Sequence, residues 1–175
     1  MGSSKHLILG GARSGKSRYA EQLCLSLQQQ NPSSELVYIA TATAGDGEMA
    51  NRIEQHQRRR GPEWRLNECT VNLAASLKDT HSDSIVLIDC LTLWLSNCLH
   101  QHCWDTERVR FLDSLARFTG TVIMVSNEVG SGIVPLGQLT REFVDQSGWL
   151  HQELAKQWSN VNLVVAGLPL SLKQS

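Results

Sequence analysis

Gly10-Gly11-Ala12-Arg13-Ser14-Gly15-Lys16-Ser17 follows the apolar run His6 to Leu9 and contains no large apolar side chain, so it has nothing to give a core. Its spacing, Gly-x-x-x-x-Gly-Lys-Ser, is that of a P-loop, and it lies between a predicted strand and a predicted helix, where the pattern has physical meaning. Glycines let successive backbone N–H groups turn inward around phosphate oxygens, and the helix that follows presents its positive dipole end. Lys16 then reaches the terminal phosphates and the Ser17 hydroxyl ligates Mg²⁺. The bland alternative, a glycine-rich strand-to-helix turn, explains the glycines but not the Lys-Ser pair that closes them. The stretch is read as a nucleoside triphosphate site.

Two further groups of residues carry chemistry. Asp89 ends the apolar run Ser84 to Asp89 and would emerge at the carboxyl edge of a sheet, where open α/β sheets bind ligands. That is the position of a Walker B acid; an ordinary turn or cap residue is the competing assignment. The segment Glu48 to Trp64 places Arg52, His56 and Arg59 or Arg60 three and four residues apart, which on a helix makes a basic stripe around one histidine. Guanidiniums nearby favour the neutral, nucleophilic imidazole and would clamp the phosphates it attacks. Spacing alone equally allows a solvated basic helix face.

The elements that must position these residues read as alternating strands and helices. Apolar, β-branched runs starting at His6, Leu36, Ser84, Thr121 and Asn162 are predicted buried strands of a mostly parallel sheet. Between them Lys16 to Gln29, Gly47 to Arg60, Asn72 to Asp79, Leu91 to Leu99, Asp105 to Phe118 (with Asp105 as N-cap) and Leu139 to Trp158 carry helical patterning. The expectation is an α/β layered fold with helices on both faces, and the 175 residues fit a single domain spanning 1–175. After the strand that ends at Asp89 the chain shows neither an Asp-x-x-Gly switch nor, elsewhere, an Asn-Lys-x-Asp guanine motif, which disfavours a regulatory GTPase. Ser126 to Pro135, "SNEVGSGIVP", follows a strand at the same edge, so Asn127 and Glu128 are expected to face the ligand.

A net charge of −1 gives no broad footprint for nucleic acid or an anionic membrane. No apolar run approaches the roughly 20 residues of a membrane span, and no secretory h-region opens the chain, so a cytoplasmic location is expected. The five cysteines, odd in number and without a C-x-x-C pair, read as reduced thiols.

Taken together, "GGARSGKSRYAE", "YIATA", "DGEMANRIEQH" followed by Trp64, "SNEVGSGIVP" and "REFVDQSGWLHQELA" leading into "LVVAG" resemble the bifunctional adenosylcobinamide kinase/adenosylcobinamide-phosphate guanylyltransferases of cobalamin biosynthesis. The resemblance runs from Leu7 to about Gly167. It implies a P-loop fold of the RecA type and a homo-oligomer, with a trimer as the family's form. It also implies two reactions: ATP or GTP phosphorylates adenosylcobinamide, and a histidine then takes GMP from GTP and passes it to the new phosphate. His56 is the histidine of the matching block, so the covalent role falls on it, beside Lys16 as the other catalytic residue. The family's nucleotide contacts fall on Gly10, Gly11, Ala12, Arg13, Ser14, Gly15, Lys16 and Ser17, on Thr41, Ala42 and Thr43, and on Gln57, Arg58, Arg59 and Arg60, with Glu68 and Asp89 at two further acidic positions. Mg²⁺ is expected on Ser17 and Asp89. A kinase without guanylyl transfer, and a nucleotide-binding assembly module without turnover, are the rival readings.

Overall fold

The apolar runs contain no polar alternation because both of their faces are buried. In a computed structural model, which describes residues 4–42, 61–158 and 160–174, successive strand residues enter two separate cores. On β1 (Lys5–Gly10), Leu7 packs on one side and Ile8 on the other; on β4 (Ile85–Asp89), Val86 and Ile88 oppose Ile85 and Leu87. The same alternation holds on β2 (Leu36–Ala40) and β5 (Thr121–Asn127). Helix α1 (Lys16–Gln30) covers one core through Ala20 and Cys24. The other is covered by α2 (Leu73–Lys78), α3 (Leu91–His100), α4 (Trp104–Arg117) and α5 (Gln138–Gln157).

The described sheet has seven strands in the order β3-β2-β4-β5-β1-β6-β7, where β3 is Trp64–Glu68, β6 is Asn160–Val165 and β7 is Leu168–Lys173. All pairings are parallel except β6 with β7. The carboxyl ends of β1, β2, β4 and β5 therefore share one edge. Hydrogen bonds there run past the strands: Glu128 N–H donates to the Gly10 carbonyl, Thr41 N–H to Asp89 and Cys69 N–H to Ala40.

The structure adds two strands to the five expected and corrects one helix cap. Strands β3 and β7 do not stand out as apolar runs, because each is an edge strand: Arg65, Leu66 and Glu68 are exposed, and every residue of β7 is exposed. Pro169 is tolerated in β7 for the same reason. Asp105 is not an N-cap. Helix α4 starts one residue earlier, with Cys103 as its cap, because Trp104 is buried against Trp94, with ring centroids 5.1 Å apart, and its Nε1 donates to Gln146 at 2.8 Å. The predicted helix Gly47 to Arg60 lies outside the described residues.

Candidate functional site

The loop from Gly10 to Ser17 closes as a cradle. Gly10 is buried where a Cβ would stand 2.4 Å from Ser14 Oγ and 2.7 Å from the Val164 carbonyl oxygen, so only glycine fits. Arg13 and Gly15 adopt left-handed backbone, φ 55° and 94°, and a Cβ on Gly15 would also crowd Gly167 at 3.1 Å. Alternating the hand of the backbone in this way turns N–H groups toward one point, an anion nest. Helix α1 begins there with Gly15 as N-cap, which has no side chain to cap the first amides and leaves them to a ligand. Among the described residues the buried Ser14 hydroxyl has no hydrogen-bond partner, which leaves a further donor at the loop beside Gly10. Gly11, Ala12 and Arg13 are exposed, while Ser17 on the first turn of α1 is half-buried. From the opposite side the Gly167 N–H braces the cradle by donating to the Ser14 carbonyl at 2.8 Å.

Lys16 is buried, and its ammonium donates to the Gly11 carbonyl at 2.9 Å, folded back over its own loop. Burial holds its pKa below the ordinary lysine value, and the charge of Asp89 acts in the opposite direction. Strand β5 lies between β1 and β4, which puts Asp89 about 10 Å across the sheet from the cradle. One Asp89 oxygen, Oδ2, accepts a bond from the Tyr38 hydroxyl at 3.1 Å. That bond orients the carboxylate, and among the described residues Oδ1 accepts no hydrogen bond, which suits the oxygen coordination a hard cation prefers.

Thr41 and Ala42 follow β2 at the same edge, but Thr41 is buried and its hydroxyl is committed elsewhere. It donates to the Cys90 carbonyl and accepts from the Cys90 N–H, both at 2.7 Å, tying the turn after β2 to the turn after Asp89. Glu68 closes β3, paired with Ala40, on the same edge but four strands from β1, about 19 Å away. Thr43, His56 and Gln57 to Arg60 lie outside the described residues.

Asn127 and Glu128 do reach the edge. Asn127 is in register with Gly10 and donates from Nδ2 to Thr92 Oγ1 at 2.9 Å; Glu128 accepts from the Gly130 N–H at 2.8 Å. Several supporting residues are not evident from sequence. Tyr38 and Thr92 look like core and helix residues. Asn97 on α3 donates to the carbonyls of Thr41 and Thr70, at 3.0 Å each, pinning two turns of the edge to one helix. Ser126, the last fully buried residue of β5, shares a 2.7 Å hydrogen bond with Nε2 of His151 on α5. A polar residue near the end of an apolar strand is the one local signal that could have found it. A cavity of 580 Å³ between α2 and α4, with Lys78, Arg110, Asp113 and Arg117 on its wall, contains none of the expected nucleotide contacts.

Comparison with known proteins agrees with this geometry. The chain is 48% identical over 173 residues to the bifunctional adenosylcobalamin biosynthesis protein CobP of Pseudomonas aeruginosa, covering 97% of each. It is 36% identical to the bifunctional adenosylcobalamin biosynthesis protein CobU of Escherichia coli, covering 95% of this chain and 98% of that one. The flagellar accessory protein FlaH of Methanocaldococcus jannaschii superposes with a TM-score of 0.55 at 12% identity, over 99% of this chain and 80% of that one, a likeness of fold alone. The model of one family, cobinamide kinase / cobinamide phosphate guanyltransferase, matches residues 6–172, nearly the whole chain, and the protein belongs to that family.

Proposed function

We propose that this chain phosphorylates adenosylcobinamide with ATP or GTP and then transfers GMP from GTP to the product through a covalent adduct on His56. The observation that carries the reading is the pairing, in a member of a bifunctional family, of a closed phosphate cradle with an acid on the same sheet edge. In the first reaction the amides of Gly11 to Ser17 and the Lys16 ammonium hold the β- and γ-phosphates. The substrate hydroxyl oxygen bonds to the γ-phosphorus, the bond to the bridging oxygen breaks, and the nucleoside diphosphate departs as the hydroxyl proton is lost. The half-buried Ser17 hydroxyl and the Asp89 carboxylate, oxygen donors both, suit Mg²⁺, which when bound would neutralise phosphate charge.

In the second reaction a neutral nitrogen of His56 bonds to the α-phosphorus of GTP and pyrophosphate leaves. A phosphate oxygen of the corrinoid then bonds to that phosphorus and breaks the phosphorus–nitrogen bond. Arg58, Arg59 and Arg60, with Gln57, are assigned to the triphosphate. Glu68 and Thr43 are kept as nucleotide contacts of this second step, since Glu68 stands across the sheet from the cradle.

The partners are small molecules rather than nucleic acid, in keeping with a net charge of −1. Among the described residues no helix is long and apolar enough to cross a membrane, which accords with work in the cytoplasm. A homo-oligomer, in the family's trimeric form, accords with β7. Leu168, Leu170 and Leu172 on that strand stand exposed, and Lys173 at its end donates to the Ala155 carbonyl of α5.

The test is capture of label from GTP carrying ³²P at the α-phosphate. Wild type is expected to hold label in a bond labile to acid and stable to base, as a phosphoramidate is. His56→Ala is expected to lose capture and GMP transfer while still phosphorylating adenosylcobinamide. Label retained by that variant would exclude His56, and no label on the wild type would leave a kinase alone.

A further inference from the structure

The loop between β5 and α5, which leaves the sheet at the same edge as the phosphate cradle, presents apolar side chains to solvent. Ile133 is 97% exposed, Leu136 97% and Val134 73%, and Leu139 on the first turn of α5 is also exposed. Single exposed apolar residues need no explanation, but four within seven positions form a ridge. The ridge is held in shape from both ends. Glu128 accepts the Gly130 N–H at 2.8 Å where the loop starts, and Arg141 Nη1 donates to the carbonyls of Pro135 at 3.0 Å and Leu136 at 2.5 Å where it ends. Pro135 restricts the backbone between them. The polar backbone is thus satisfied inward while the apolar side chains project outward, the reverse of how a surface loop left to itself arranges its side chains.

The loop that carries the ridge starts at the nucleotide edge: it leaves β5 at Asn127, in register with Gly10, and Glu128 N–H bonds the Gly10 carbonyl at 3.0 Å. A kinase substrate attached to this edge must bring its hydroxyl to the cradle while the rest of the molecule lies on neighbouring surface. A corrinoid is a wide macrocycle with methylated, apolar faces and amide-bearing arms, too large to enter the cradle. We propose that Ile133, Val134, Leu136 and Leu139 are the platform on which the corrin ring rests during phosphorylation, fixing the aminopropanol arm toward the γ-phosphate. Burial of apolar area on a preformed surface supplies affinity with little ordering cost. The inference rests on the kinase half of the proposed function. A second copy of this chain is the competing occupant, and β7 offers it a separate apolar face.

The experiment is the double variant Val134→Ser with Leu136→Ser, whose exposed positions do not support the core. Wild type must first phosphorylate adenosylcobinamide, which tests the kinase reading by itself. The variant is then expected to raise the KM for adenosylcobinamide about tenfold or more, with the KM for the nucleotide and α-label capture unchanged and with the same mass by light scattering. Weakened retention of the corrinoid in equilibrium dialysis, followed by its own visible absorbance, should match the KM change. An unchanged KM for the corrinoid overturns the proposal, as does a fall in mass to the monomer with corrinoid binding intact, which assigns the ridge to subunit contact.

Discussion

Two lysines flank the interior strand β1, one at its start and one beyond the loop at its end, and they are buried to nearly the same degree, Lys5 at 6% exposure and Lys16 at 8%. Both are pulled below the ordinary lysine pKa by loss of solvent. Their surroundings differ. At the amino edge, Lys5 donates to the carbonyls of Phe118 and Gly120, both at 2.8 Å, and lies 5.5 Å from the centre of the Phe118 ring. It closes the chain between α4 and β5 and brings the charge to rest. At the carboxyl edge, Lys16 has one carbonyl acceptor, from its own loop, among the described residues. An ammonium has three donors, so Lys16 keeps hydrogen-bonding capacity for phosphate oxygens. Equal burial therefore serves adhesion at one edge and binding at the other, and the count of acceptors separates them.

Lys16→Ala should break the functional side of this comparison with the largest effect. The kinase kcat is expected to fall about a hundredfold to a thousandfold, since backbone amides cannot replace the point charge at the phosphates. Melting temperature should hold or rise, because a costly buried charge is removed and a single loop contact is lost. A kcat within a few-fold of wild type would remove Lys16 from the reaction. Asp89→Asn comes next. The amide keeps the Tyr38 bond but loses the charge that a hard cation needs, so the Mg²⁺ midpoint of kinase activity should rise about tenfold. Nucleotide binding without metal should stay within two- to threefold of wild type, at roughly RT ln 3 of free energy, and an unmoved midpoint would make Asp89 a structural acid.

Lys5→Met should give the reverse pattern. Two carbonyls lose a charged donor, and a cost of about 1–3 kcal/mol is expected against some relief of desolvation, visible as a melting temperature lower by about 3–6 °C with kcat unchanged. The sign with pH follows from the lowered pKa. Folded Lys5 sheds its proton near pH 8, while the unfolded chain keeps it to about 10.5. Wild type therefore gains stability relative to Lys5→Met as pH rises between those values, and a constant difference in melting temperature would mean that Lys5 is not desolvated.

The difference between the edges also explains what could be read from sequence. The cradle was legible because its demands are local: Gly10, Gly15, Lys16 and Ser17 sit within eight residues, and the left-handed turn at Gly15 admits little else. Strands β1, β2, β4 and β5 were legible because burial on both faces leaves an unbroken apolar run, and β6, where only Val161 and Val164 are buried, was legible through its Leu163-Val164-Val165 stretch. Strands β3 and β7 were not, since an edge strand such as Trp-Arg-Leu-Asn-Glu needs no apolar face. The clamps were not either. Lys5 with Phe118, Asn97 with Thr41 and Ser126 with His151 join residues 113, 56 and 25 positions apart, and no local spacing records such pairings.

The Ser126–His151 pair offers the smallest effect and the finest distinction, because it is a polar contact at the functional edge that belongs with Lys5 in kind. Burial is the main cause that holds the His151 pKa down at about 4, with the charge of Glu128 opposing it. The folded imidazole thus stays neutral where the unfolded one, at its ordinary 6.5, takes up a proton. The stability this supplies is complete above pH 6.5 and is lost as pH falls toward 4. His151→Gln retains a side chain able to bond Ser126 but does not titrate. At pH 7.5 it should melt slightly below wild type, and the gap should narrow as the buffer is taken to pH 5, measured by thermal melts of both proteins in the same buffers. His6, also lowered by burial, contributes equally to the two proteins and cancels. A gap that stays constant, or widens in acid, would mean that His151 is charged in the folded state and that its bond to Ser126 is part of the edge's chemistry rather than of its scaffold.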